Sequence, residues 1–314
     1  MSAPVTVEVD VRAVAPPGGA RAVVDVFLPP ADVGPAGTLW WLLPGGGMSR
    51  RYWDLDLPGA GLARFLAARG HVAVTVDHLG VGESSVPDDP YALTAHAVAD
   101  VNAAVLRSVA DGLRAGTIGP EPLPGLRTVG VGHSAGAGLL VTQQARHGGC
   151  EALALLGYGG RGMPEQLDPA LARYADDPDG LRRALPGLVR DRFGTALPDL
   201  DRRHGRDRSA EPGVPGALAR ASTPLLALVG LAAMVPGNAA AEIAALDVPV
   251  LLAHGDREIG APLAEVAPEF CGTGDLTLYR VTDSGHHHVV GPHRGRLFDR
   301  LLAWAGAVLP RGER

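Results

Sequence analysis

Val129-Gly-Val-Gly-His-Ser-Ala-Gly-Ala-Gly138 is the stretch from which the rest of the chain can be read. Its centre, Gly132-His-Ser-Ala-Gly136, is a G-x-S-x-G motif. By itself such a motif is only suggestive, because this chain is rich in glycine. Its surroundings carry the weight. An apolar run (128–131) enters it, and a helix of small residues leaves it, from Ala135 to about Arg146. A serine in a sharp strand-to-helix turn brings its neighbours at ±2 close together, so only residues with little or no side chain fit at Gly132 and Gly136. Such a turn lifts the Ser134 hydroxyl clear of the backbone. It also sets it at a helix N-terminus, where the dipole favours a developing oxyanion.

Working outward, residues 38–43, 72–76, 128–131, 152–156 and 248–253 are short, nearly continuous apolar runs. Runs of this kind suit strands buried on both faces, as in a parallel sheet covered by helices. Residues 5–14 and 20–28, separated by Pro-Pro-Gly-Gly, alternate apolar and other residues and read as a β-hairpin. Asp89-Pro90 is a good N-cap and first-turn pair. It is expected to open a helix with Val98, Val101, Val105, Val109 and Leu113 on one face. Leu297, Leu301, Trp304, Ala305 and Val308 form another amphipathic helix. The fold class is therefore α/β with a mostly parallel sheet. The alternation breaks over 161–237, too long for an ordinary connection. We read a core of 1–160 and 238–314 with a helical cap or lid inserted at 161–237. The lid's Arg- and Asp-dense part is 199–212, and its apolar part, 223–237, faces inward. Extra helical packing with no ligand role is the alternative.

A serine hydroxyl is a poor nucleophile and needs a base, itself oriented by an acid. Val248-Pro-Val-Leu-Leu-Ala-His-Gly-Asp256 is a buried strand ending in an acid, and Leu276-Thr-Leu-Tyr-Arg-Val runs into Asp283-Ser-Gly-His286-His-His288. Each candidate thus lies at the C-terminal end of a strand, the edge where α/β sheets keep their ligands. Asp256 is preferred over Glu258 as the acid because it sits closer to the strand end, and Asp283 is too near His286 in sequence. His288 shares a face with His286 in an extended segment and is the alternative base, while His287 should point away. Leu42-Leu-Pro-Gly-Gly-Gly-Met48 offers backbone donors for an oxyanion, with the Gly46 and Ala135 amides first and Gly47 next; the alternative is a flexible turn. Met48, His133, Leu228, Leu231 and Met234 are expected to line an apolar pocket, and Tyr52 and Trp53 could stand at its mouth. Trp40, Trp41 and Trp304 read as core, and Asp77 as the organiser of the turn through Gly82. A metal set of His286, His288, His254 and Asp256 is conceivable. It would leave the serine turn without a purpose, so no metal is expected.

These pieces resemble the α/β-hydrolase superfamily over essentially the whole chain. The matching parts are the opening hairpin, Pro44-Gly-Gly-Gly47, Asp77-His-Leu-Gly-Val-Gly-Glu-Ser84, the Ser134 turn, and the Asp256 and His286 turns. The resemblance implies an eight-stranded, mostly parallel sheet with helices on both faces and a cap after the sixth strand. It implies acyl-enzyme chemistry by a Ser-His-Asp triad without metal or organic cofactor. His286 directly follows Gly285, as the catalytic histidine does in the family. Pro44 stands where many relatives carry His, so the ester-class labels attached to that segment do not transfer.

Composition bounds the function. The 314 residues carry a net charge of −6, and all 28 basic residues are Arg. That balance argues against a nucleic-acid or anionic-membrane surface. No basic, apolar leader opens the chain and no apolar run reaches the ~20 residues of a membrane span, so a soluble cytoplasmic protein is expected, monomeric or homodimeric. The first expected function is a serine hydrolase cleaving an ester, thioester or lactone with an apolar acyl group. The same site could instead serve an acyltransferase or cyclase acting on a polyketide-like intermediate of secondary metabolism, or a small-molecule binding protein. Epoxide or haloalkane chemistry is disfavoured, since an alkyl-enzyme ester needs a carboxylate where Ser134 stands.

Overall fold

The short apolar runs pair into one eight-stranded sheet in a computed structural model of the chain, which describes residues 3–199 and 211–309. The strands are β1 (Val5–Asp10), β2 (Arg21–Phe27), β3 (Thr38–Leu43), β4 (Val72–Asp77), β5 (Arg127–His133), β6 (Ala152–Leu156), β7 (Val250–Gly255) and β8 (Leu276–Val281). Their order is β1-β2-β4-β3-β5-β6-β7-β8. β1 and β2 form the expected hairpin, with Val5 opposite Val26, and β2 also runs antiparallel to β4. All remaining pairs are parallel. Every residue of β3, β4, β6 and β7 is buried, which is why these strands read as apolar runs rather than as alternations. β8 closes one edge and does alternate, with Leu278 exposed.

Ten α-helices accompany the sheet among the described residues: α1 (Leu62–Ala67), α2 (Ala95–Ala115), α3 (Ala135–His147), α4 (Pro169–Ala172), α5 (Pro178–Phe193), α6 (Val214–Ala221), α7 (Ala227–Met234), α8 (Ala240–Ala244), α9 (Leu263–Val266) and α10 (Arg294–Val308). They cover both faces. Successive side chains of a strand point to opposite faces, so Trp41 joins the cluster built with α2 and α3, while Trp40 joins the one built with α1 and α10. Trp304 lies in the second cluster, as expected of a core residue.

Asp89-Pro90 does not open the long helix. The Asp89 side chain accepts from the Tyr91 amide and caps a short 3-10 turn, Pro90–Ala92. α2 starts afterwards, where Thr94 accepts from the Ala97 amide. Two caps in close succession favour two separate helical starts, and the apolar face of 98–113 belongs to the second.

Helices α4 to α8 fall between β6 and β7. Leu171, Leu181, Leu185, Val189, Leu228 and Leu231 form a cluster of their own there, largely through α5 against α7. The segment is nonetheless rooted in the core at two places. α6 packs with Tyr52 and Trp53, and Leu226 and Val229 join the cluster on the α2–α3 face. Residues 200–210 of the Arg- and Asp-dense stretch lie outside the described residues. Cys150 is buried, Cys271 is exposed, and both are free. No helix among the described residues is long and apolar enough to cross a membrane.

At the end of β4, Asp77 organises the turn through Gly82. Its carboxylate accepts from the Glu83 amide (2.9 Å) and the Arg50 amide (2.7 Å), and pairs with the Arg50 guanidinium. Arg50 also reaches Asp25 (2.9 Å) and Glu83 (3.1 Å), so this buried cation has a partner on three sides.

Candidate active site

Ser134 joins β5 to α3 at φ 52°, ψ −124°, a conformation that costs a non-glycine residue of order 1–3 kcal/mol and persists only when its surroundings enforce it. The enforcement is visible in the flanking glycines. A Cβ on Gly132 would lie 2.4 Å from the Ala137 Cα, and one on Gly136 would lie 2.2 Å from the Pro44 carbonyl oxygen. The Ser134 amide donates to the Leu156 carbonyl (2.8 Å), tying the turn to β6.

The glycine segment after β3 lies against this turn. A Cβ on Gly45 would come 3.3 Å from the Ser134 Cβ, and one on Gly46 3.7 Å from the Ala135 Cβ. The segment is closed by the Met48 amide donating to the Gly45 carbonyl (3.1 Å), and the Thr223 amide donates to the Gly47 carbonyl (2.9 Å). Among the described residues, the Gly46 and Ala135 amides enter no turn or side-chain hydrogen bond.

His286 emerges from the turn after β8, and its Nδ1 lies 2.5 Å from Glu258 Oε1. The other carboxylate oxygen of Glu258 lies 3.0 Å from His288 Nε2. Gly157, at φ 63°, packs on this group; a Cβ there would fall 3.0–3.1 Å from His286, His288 and Glu258. Burial opposes ionisation of Glu258, but its hydrogen bond with His286 prevails and holds it well below the usual carboxylate range.

Asp256, preferred from sequence as the acid, is engaged elsewhere. Its carboxylate accepts the main-chain amides of Asp283 (2.8 Å) and Ser284 (3.1 Å), which hold it below its ordinary value despite some burial. Asp283 itself sits at φ 52°. The residue directly after β7 thus faces the neighbouring β8 turn at short range. Glu258, two positions on and one methylene longer, reaches under the His286 ring.

The alternative base is also displaced. His288 is fully buried, accepts the Gly255 amide on Nε2 (2.9 Å) and lies on the far side of Glu258 from His286. The segment is not extended: His288 starts a 3-10 turn, its amide donating to the His286 carbonyl (3.1 Å), which breaks the two-residue periodicity. His287, expected to point away, lines a cavity beside Ser134, with its Nδ1 3.4 Å from the Tyr52 hydroxyl. Tyr52 and Trp53 are buried core residues rather than a pocket mouth.

Two cavities meet at Ser134, Gly46 and His286. One, of 750 Å³, is the more polar of the two, with Arg50, Arg51, Glu83, Arg220 and Thr223 on its walls beside Met48 and His133. The other, of 450 Å³, is apolar, walled by Met163, Phe193, Leu225, Leu231 and Met234. Leu228 lines neither; it packs inside the helical cluster. On α7 it lies roughly 120° round from Met234 at 3.6 residues per turn, turned away from the cavity.

With this geometry in hand, the chain can be set beside known proteins. Residues 42–300 match the model of the Alpha/beta hydrolase family. The chain belongs to this family. Among curated proteins no match was found. Among solved structures it is similar to a thermophilic esterase from Thermogutta terrifontis, at 16% identity and TM-score 0.61, covering 97% of this chain and 99% of that one. It is similar to the N-acyl homoserine lactonase AidH, at 16% identity and TM-score 0.59, covering 99% of each chain. A thioesterase domain from the curacin biosynthetic pathway matches at 16% identity and TM-score 0.60, over 96% of this chain and 100% of that one.

Within this alpha/beta hydrolase, three features escape sequence reasoning. Asp256 and Glu258 compete in the sequence for contact with His286, the more polar cavity has no linear signature, and no pattern marks Gly157 as the residue that packs on the histidines. Among the described residues no group of three or more His, Cys, Asp or Glu side chains is arranged to hold a metal ion.

Three buried histidines are expected to make the protein less stable in acid. Burial pushes His78, His133 and His254 below the ordinary histidine value, and His133 is lowered further by the rings of His286, His287 and His288. Below about pH 6.5 the unfolded chain takes up protons on these residues that the folded chain refuses. Stability therefore falls on acidification, by up to ~1.4 kcal/mol per pH unit for each histidine. Glu258 has the opposite sign of charge and contributes no change in this window, since its carboxylate is ionised in both states above about pH 5. Urea unfolding at pH 7.5 and 5.5 is expected to show a lower midpoint at pH 5.5; equal midpoints would contradict the reading.

Proposed function

We propose that this protein is a serine hydrolase cleaving an ester, thioester or lactone with an apolar acyl group. The observation that carries the reading is a strained Ser134 at the meeting of a larger cavity with charged side chains on its wall and a smaller apolar one, both shared with a histidine whose Nδ1 is held by a buried carboxylate. With Nδ1–H donating to Glu258, the free Nε2 of His286 is the base that takes the Ser134 proton. Ser134 Oγ attacks the acyl carbon, the Gly46 and Ala135 amides receive the oxyanion with Gly47 shaping the turn, and His286 returns the proton to the leaving group. Water then releases the acyl group by the same steps in reverse roles. The acyl chain takes the apolar cavity, where burial selects it, and the alcohol, thiol or ring-opened part takes the polar one. Helices α5 and α7 with the turn before α7, which bring Phe193, Leu225, Leu231 and Met234 to the apolar wall, act as the lid.

The size of the polar cavity supports a second reading, transfer of the acyl group to a bound alcohol or amine, or cyclisation. Product analysis with such an acceptor in water separates the two. The primary test is labelling of the intact protein with a fluorophosphonate probe, read by peptide mass spectrometry, with Ser134→Ala as control. Modification confined to Ser134 is expected. A folded wild type that stays unlabelled would move the site to a non-covalent binding role.

A further inference from the structure

The polar side chains that the triad does not use include one buried pair standing directly behind the glycine turn. His78, the residue after β4, and Asn102, on α2, are both buried. His78 Nε2 lies 3.2 Å from the Pro44 carbonyl oxygen, and His78 Nδ1 lies 3.1 Å from Asn102 Nδ2. A carbonyl only accepts, so Nε2 carries the proton and donates to Pro44. Nδ1 is then the acceptor, and the Asn102 amide N–H fills it. Burial lowers the His78 pKa and keeps this neutral form.

Pro44 is a singular place to hold. It lacks an amide proton, so its carbonyl is the one main-chain polar group that this residue offers to a tether. That carbonyl is also the atom against which Gly136 packs, at the first turn of α3. His78 therefore presses from one side and α3 from the other. A crevice of only 10 Å³, lined by His78, Pro44, Gly46, Ala135 and Gly136, separates them and is too small for any ligand.

We propose that His78, with its tautomer set by Asn102, is a positioning residue that fixes the Pro44 peptide and thereby the Gly46 amide relative to Ala135. This rests on the serine-hydrolase reading above. The consequence concerns the transition state: a donor misplaced by a fraction of an ångström still admits substrate but stabilises the oxyanion less. Removing an oxyanion donor outright costs about 10²–10³ in kcat, so loosening one is expected to cost roughly 10–100-fold.

The test compares wild type, His78→Leu, His78→Gln and Asn102→Leu on a p-nitrophenyl acyl ester. Three readouts are taken together: kcat and KM, the rate of fluorophosphonate labelling at Ser134, and the affinity of a trifluoromethyl ketone, which forms a tetrahedral adduct with the serine. In His78→Leu, kcat, labelling rate and ketone affinity are expected to fall by a common factor of roughly 10–100 while KM stays within about twofold. His78→Gln, whose amide nitrogen can stand near the position of Nε2, should regain most of the loss, and Asn102→Leu should show a smaller loss of the same pattern. A folded His78→Leu with unchanged kcat overturns the inference, as does a loss in which KM rises in step and Gln restores nothing. If His78→Leu does not fold, His78→Gln and Asn102→Leu decide by the same criteria. A wild type that turns over the ester and labels at Ser134 isolates this inference from the serine-hydrolase reading; an unlabelled wild type overturns both.

Discussion

Glu258→Gln is expected to lower kcat by about 10⁴, the loss seen when the acid of a Ser-His-Asp triad becomes an amide. The substitution keeps the shape and removes the charge. A Gln side chain can offer its N–H to His286 Nδ1, which moves the ring proton to Nε2 and leaves no lone pair there for the Ser134 hydroxyl. It also removes the anion that stabilises the imidazolium formed during attack. Asp256→Asn makes the opposite comparison. Asp256 touches the amides of Asp283 and Ser284 and does not contact the His286 ring, so the variant should keep most of its turnover and show its defect in thermal stability. Both variants would be assayed on one ester alongside the wild type. If Asp256→Asn is the crippling change and Glu258→Gln is mild, the carboxylate role returns to Asp256.

Gly136→Ala should be among the most destabilising single substitutions in the chain, by more than about 4 kcal/mol, because it overpacks a position with no room to yield. Its Cβ would stand 2.2 Å from the Pro44 carbonyl oxygen and 2.5 Å from that of Leu43. Both are main-chain atoms at the end of a fully buried strand, and neither can swing aside as a side chain would. Gly138→Ala, two residues along the same helix, is the control. There the atoms nearest the new methyl belong to the Tyr158 side chain, at 3.1–3.4 Å, which can give by a few tenths of an ångström as main chain cannot, and a helix interior prefers Ala to Gly by about 1 kcal/mol. Gly138→Ala should therefore remain within about 1 kcal/mol of wild type in urea unfolding. Equal behaviour of the two variants would show that α3 is not pressed against the glycine segment as described.

Much of this protein can be read along the chain because the deciding interactions are local. The turn at Ser134 announces itself by the small residues at ±2, since the clash they avoid lies within the same few residues. The buried strands announce themselves by unbroken apolar runs, because a strand covered on both faces has no polar side to show. The hairpin of β1 and β2 and the amphipathic stripe of α10 follow from periodicities of two and 3.6 in the same way.

Other features depend on which strand ends stand side by side, and no local pattern encodes that. Asp256 and Glu258 differ by two positions in one turn. Their roles are divided only because β8 lies next to β7, so that the Asp283 and Ser284 amides come within reach of the first carboxylate and the His286 ring within reach of the second. His286 and His288 look equivalent in an extended reading, until the 3-10 turn beginning at His288 carries one ring toward the cavities and the other behind Glu258. His78, just after β4, meets the Pro44 carbonyl across 34 positions of sequence, and Asn102 on α2 meets His78 across 24. Strand, turn and nucleophile are written in neighbouring residues. The acid, the base and the support of the glycine turn are set by tertiary contacts, because short-range hydrogen bonds discriminate between carboxylates or imidazoles only after the sheet has aligned their backbones.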